Sequence, residues 1–188
     1  LGGKSAAVLA EFCERARMLQ DKLAPILIQF PPQFVAHAEN VNALRAFLPL
    51  LPDDLRFAAE FRSADWADPE IAAFLARHRV AVALVEGQWI NRRALWRMAV
   101  GQGLDFAYVR WMGERDLTRF DTVQRPQEEN LISWAGALEK LAERVRNIYA
   151  YFSNYYEGYA PASANRLKQL LGQPIIAAEE LQDQPSLF

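Results

Sequence analysis

Glu60 and Arg62 stand two residues apart in Phe57-Ala58-Ala59-Glu60-Phe61-Arg62, and Tyr108, Arg110 and Met112 repeat that spacing further on. Residues two apart on an extended segment share one face, so each set turns its polar groups to one side of a strand. A carboxylate and two guanidiniums brought together can bind a polar or anionic ligand, because the planar fork of arginine matches carboxylate and phosphate geometry. Glu60 can also serve as a general base where its surroundings raise its pKa. The competing reading is a structural ion pair of Glu60 with its arginines. A ligand role is favoured over it, because charge on otherwise apolar strands is costly to bury without a function. Gln29 and Asn154 close two further apolar runs, Gln29 near the end of Ile26-Leu27-Ile28-Gln29-Phe30 and Asn154 just past Phe152. Trp66 either walls such a site or covers the helix that follows it.

Other chemistries find less support. His37 falls in a polar loop and His78 at the end of a helical stretch, where the dipole favours a cation. Both read as structural. No His, Cys, Asp or Glu grouping has metal-ligand spacing, and there is no serine elbow or cysteine–histidine arrangement. No glycine-rich phosphate loop follows any apolar run. The sequence names no cofactor, and it leaves open whether the protein is catalytic. Tyr155, Tyr156 and Tyr159 form a tyrosine-rich loop that reads either as a ligand lid or as packing.

The elements that must position these residues alternate. Ser5 is expected to cap a first helix reaching Lys22, with Val8, Leu9, Phe12, Ala16 and Leu19 at helical spacing and Cys13 packed. Ile26–Phe30, Phe57–Arg62, Val80–Val85, Phe106–Trp111 and Ile148–Phe152 read as strands, short and continuously apolar as buried parallel strands are. Asn40 is expected to cap a helix to Leu50. Asp68-Pro69 opens another to His78. Residues 87–104 look partly helical. Pro126 opens the longest helix, to Arg146, with Leu131, Trp134, Ala135, Leu138 and Leu141 along one side. Ser163 is expected to cap a last helix ending at Gly172. Strand–helix alternation with apolar strands implies parallel βα units, and a (β/α) barrel is the best match. In such barrels the site lies where the strands end, at their C-terminal face.

Composition sets the outer bounds. The chain has 188 residues, 52% hydrophobic and 12% aromatic, with a net charge of −2. This excludes a disordered chain, and direct nucleic-acid binding gains no support from the overall charge. The charge is uneven: residues 77–125 carry nine arginines against five acids, while the flanking stretches are net acidic. No apolar run approaches the roughly 18 residues of a membrane span. A single cysteine excludes an internal disulfide and fits a reducing, cytoplasmic setting.

The strand-end residues carry a resemblance. Pro25-Ile26-Leu27-Ile28-Gln29-Phe30-Pro31-Pro32 is followed by Glu60-Phe61-Arg62 with Trp66, and then by Tyr108-Val109-Arg110 with Gly113. Tyr149-Ala150-Tyr151-Phe152 with Asn154, and then Asn165, complete the series. In this order they resemble the YecE-like family of bacterial TIM-barrel proteins, domain of unknown function 72. The resemblance covers nearly the whole chain. It implies a TIM-type barrel and carries over Glu60, Arg62, Trp66, Arg110, Gly113, Asn154 and Asn165. Ser63 and Met112 stand where the family usually has histidines, and Ser153 where it often has a second asparagine. With two proton-transfer side chains replaced, any family chemistry is in question here. The resemblance supplies a site and no reaction.

A complete barrel needs eight strands and roughly 250 residues. The resemblance therefore implies that residues 1–175 are strands four to eight with their helices. Three preceding strands would bring more of the mouth, among them a Glu-x-Asn element. Residues 176–188 form an acidic tail ending Gln184-Pro185-Ser186-Leu187-Phe188. That ending resembles the peptide by which bacterial repair and replication proteins bind the sliding clamp, with Gln184, Leu187 and Phe188 as the contacts. Three functions follow: a barrel binding or converting a small polar or anionic ligand, a DNA-maintenance accessory recruited to the clamp, or a non-catalytic interaction module.

Overall fold

Asp68 accepts a hydrogen bond from the Glu70 backbone N–H at 2.7 Å while Pro69 takes the first helical position, so this helix starts where its sequence directs. In the computed structural model, which describes residues 3–175, helices and strands alternate. In chain order they are α1 (Gly3–Arg17), β1 (Ile26–Gln29), α2 (Ala38–Phe47), β2 (Phe57–Glu60), α3 (Pro69–Arg77), β3 (Val80–Glu86), α4 (Arg92–Gly101), β4 (Phe106–Trp111), α5 (Glu128–Ala142), β5 (Asn147–Phe152), α6 (Asn154–Glu157) and α7 (Ala160–Leu170). The strands form one parallel sheet in the order β1-β2-β3-β4-β5. Parallel neighbours need a crossover, and each helix between strands supplies one. Among the described residues no helix is long and apolar enough to cross a membrane.

The chain divides into two compact units. One reaches Arg110 and takes in Arg144–Ala150; the other comprises Trp111–Glu143 and continues from Tyr151. In the first, Leu44, Leu48, Trp66, Leu75, Val80 and Leu84 are fully buried. In the second, Trp111 stacks on Phe152 at 4.2 Å and meets Trp134 edge-on at 5.2 Å. The stripe expected on α5 is the stripe observed: Leu131, Trp134, Ala135, Leu138 and Leu141 are all buried.

Several expected boundaries shift. Ser5 lies inside α1, which already begins at Gly3. Asn40 also lies inside its helix, and its side-chain amide donates to the Val35 carbonyl at 2.8 Å. Ser163 sits one turn into α7, buried, with its hydroxyl on the Tyr159 carbonyl. Each hydroxyl or amide can bond the preceding turn as well as a free N–H, so these residue types alone do not fix a helix start. Pro126 precedes α5 without opening it. Residues 92–101 are fully helical, with Asn91 accepting from the Arg93 N–H at 2.9 Å. Gly172, at φ +64°, ends α7 as expected.

Two expectations about burial fail. β1 and β5 are half-buried rather than buried, because among the described residues each is an edge strand with a neighbour on one side only. Most of the apolar stripe on α1 is also open. Val8 and Phe12 on α1, and Leu19 beyond its end, are more than half exposed, and the helix is buried through Cys13 and Ala16 instead. Periodicity sets which side chains align, and what covers them depends on the neighbouring elements.

Candidate functional site

The register of β1 on β2 sets Gln29 opposite Glu60 at the C-terminal ends of both strands. Glu60 is 1% exposed. One carboxylate oxygen accepts from the Gln29 amide at 2.8 Å and from Arg62 Nε at 3.0 Å, and the other accepts from a terminal nitrogen of Arg110. β3 runs between β2 and β4. Arg110, on β4, therefore reaches Glu60 across the intervening β3. A carboxylate this buried is tolerated because both oxygens are satisfied and two cations balance it. The arginines themselves keep contact with water, their side chains 17% and 21% exposed. Arg62 spends its Nε on Glu60 and Arg110 one terminal nitrogen, which among the described residues leaves the remaining N–H groups of both to meet a ligand. The four groups thus form one cluster at the strand ends within the first unit. Charge repeated on one strand face signals three of them, and Gln29 was signalled as the polar end of an apolar run; strand register is what joins it to Glu60.

A four-ring aromatic cluster backs this group. Phe30, Phe34, Trp66 and Phe61 stack in a closed circuit, with centroids 4.6 to 5.1 Å apart and planes within 20°. Trp66 is fully buried, and its indole N–H donates to the Phe34 carbonyl at 2.5 Å. It is held between Phe34 and Phe61 and offers no open face. The cluster fixes the loops after β1 and β2, each beginning where Gln29 and Glu60 end. Its signal was in the sequence, as aromatic residues flanking Pro31-Pro32 and Arg62.

The remaining expected residues lie in the second unit and have local work there. A Cβ on Gly113 would stand 1.8 Å from the Tyr155 carbonyl oxygen, so no larger residue fits against that backbone. Asn154 begins α6 and accepts from the Ala160 N–H at 2.9 Å. Asn165 lies on α7 with its side chain engaged. Ser153 caps α6, its hydroxyl accepting from the Tyr155 N–H at 3.3 Å. Two of the tyrosines pack: Tyr156 is buried and its hydroxyl accepts from Asn130, and Tyr155 meets Phe120 edge-on at 5.0 Å.

Residue typing missed Glu157. It is 4% exposed, its carboxylate accepts from the Gln127 N–H at 2.7 Å, and its carbonyl accepts from the N–H groups of Gln124 and Arg125. An isolated acid in a tyrosine-rich segment was its only sequence signal.

Arg92, Arg110, Arg119 and Arg125 of the arginine-rich stretch are each paired with an acid, which reduces that stretch as an open basic patch. Among the described residues no three His, Cys, Asp or Glu side chains are grouped to hold a metal. His37 precedes α2, and His78 ends α3 with its ring edge-on to Phe74. Cys13 is buried, and burial pushes its thiol pKa up. The tail residues Gln184, Leu187 and Phe188 lie outside the described residues.

A family model described as "Protein of unknown function DUF72" matches residues 3–186. The UPF0759 protein YunF of Bacillus subtilis (strain 168) is 24% identical over 166 residues, which cover 80% of this chain and 58% of that protein. A DUF72 family protein of Enterococcus faecalis V583 superposes with a TM-score of 0.72 at 16% identity, over 91% of this chain and 67% of that one. A DUF72 family protein of Thermotoga maritima MSB8 gives 0.70 at 23% identity, over 88% and 65%. The chain therefore spans somewhat over half the length of the Bacillus relative and about two-thirds of the solved chains.

Proposed function

The chain belongs to the DUF72 family of proteins of unknown function, and from that premise we propose that Arg62 and Arg110, oriented by Glu60 and Gln29, bind a small carboxylate- or phosphate-bearing ligand. One observation carries this reading: a fully buried carboxylate holds two part-exposed guanidiniums by different nitrogens. A structural ion pair needs one cation for one anion. A second cation leaves the cluster with surplus positive charge and unspent donors, which suits an anion. With both oxygens occupied, Glu60 is a positioning residue in this arrangement rather than a free base. The five strands correspond, on this proposal, to strands four to eight of a (β/α) barrel. The strand ends are the usual place for a site in that fold.

The test is calorimetric titration of the full chain with inorganic phosphate and with succinate. Arg110→Ala and Arg62→Ala should each weaken the bound anion roughly tenfold or more, the worth of a charge-assisted hydrogen bond. Unchanged affinity in both variants would sink the proposal.

A further inference from the structure

At the other end of the strands the first unit holds a cavity of about 270 Å³, built from the residues that lead into β1, β2, β3 and β4. Its lining has an unusual backbone. α4, α6 and α7 are each followed by a glycine at positive φ, Gly103, Gly158 and Gly172. That is the residue expected where a helix ends in the left-handed region. Among the described residues two others adopt the same conformation without being glycine: Gln20, at φ 50° after α1, and Arg79, at φ 56° after α3. Both line this one cavity. A long side chain in that conformation is strained where glycine would not be, and strain of this kind gathers at binding sites.

The charges in the cavity sort into spent and unspent. Asp54 takes two hydrogen bonds from Arg17, at 2.7 and 2.8 Å. Arg56 donates to the Tyr149 hydroxyl at 2.8 Å and lies 3.8 Å from Asp105. Asp53 and Arg79 have no ion-pair partner among the described residues, and they do not pair with each other. Asp53 and Arg79, both solvent-exposed, thus bring one anion and one cation to one cavity, beside the half-buried Leu23, Leu55 and Leu104. Its volume is enough for a small organic molecule.

We infer that this cavity binds a small zwitterion, a free α-amino acid with an aliphatic side chain. Its carboxylate lies on Arg79, its ammonium on Asp53 and its side chain against the leucines. The site is separate from the Glu60 cluster and does not depend on it. Titration of the isotopically labelled full chain with L-leucine should give saturable amide shifts at Gln20 and Arg79. 4-Methylpentanoate lacks only the ammonium and isoamylamine only the carboxylate, so each should bind at least about tenfold more weakly. Arg79→Gly separates ligand binding from a purely structural role. Glycine relieves the backbone, so Tm should rise by about 3 °C, while leucine binding falls at least about tenfold. No saturable shift with leucine overturns the inference, as does undiminished leucine binding by Arg79→Gly.

Discussion

Glu60 and Glu157 are the two buried carboxylates among the described residues, and they are satisfied in opposite ways. Glu60, in the first unit, takes its hydrogen bonds from side chains, two of them cationic. Glu157, in the second, takes its recorded bond from the backbone N–H of Gln127, directly ahead of α5. A backbone donor cannot move or leave, so Glu157 serves architecture: side chain and carbonyl together pin residues 124–127, and the start of a helix favours its charge. Guanidiniums on long side chains can turn toward a ligand. Burial alone therefore does not mark a functional acid. The kind of donor that satisfies it tells more.

Removing each acid tests that contrast. Glu60→Ala strands two guanidiniums beside an uncharged gap. Losing one side of a buried pair costs about 3–5 kcal/mol, and because the arginines are part-exposed the lower end, about 3 kcal/mol, is expected in urea unfolding. Glu157→Gln keeps an oxygen that can accept the Gln127 N–H and gives up only the charge. It should cost about 1 kcal/mol and leave anion binding at Arg62 and Arg110 unchanged. Equal losses in the two variants would mean that both acids are architectural.

The first of these roles was easier to read than the second. The strands were legible because apolar runs bounded by proline and polar residues leave few alternatives, and Glu60, Arg62 and Arg110 stood out as charges interrupting them. Asp68-Pro69 and Gly172 were legible because their backbone demands are local. Gln29 stood out as the polar end of an apolar run, although its pairing with Glu60 did not; Glu157 was not legible, since it acts on a residue thirty positions away in sequence. Asn40 and Ser163 misled for the opposite reason: a side chain that can cap can equally bond a carbonyl earlier in the chain. The open face of α1 shows that periodicity carries no information about what lies opposite.

A third acid, Glu128, extends the contrast to the surface and should give the smallest effect. It is paired with Arg166, with both side chains more than 40% exposed. The Arg166 guanidinium holds the Glu128 carboxyl below its ordinary value of 4.5. A carboxyl with a depressed folded-state pKa contributes stability that is fully present above the unfolded value and is lost as pH falls through the folded one. The contribution should therefore be intact at neutral pH and disappear progressively below about pH 4.5. Glu128→Gln should leave the urea midpoint nearly unchanged at pH 7, since exposed pairs contribute little, and should flatten its decline between pH 5 and pH 3. Raising NaCl to 1 M should shrink the difference between variant and native chain, because salt screens a solvent-exposed pair. The Glu60 cluster, screened by burial, should keep most of its contribution in the same salt. If salt weakened both equally, Glu60 would be behaving as a surface acid, and its distinction from Glu128 would fail.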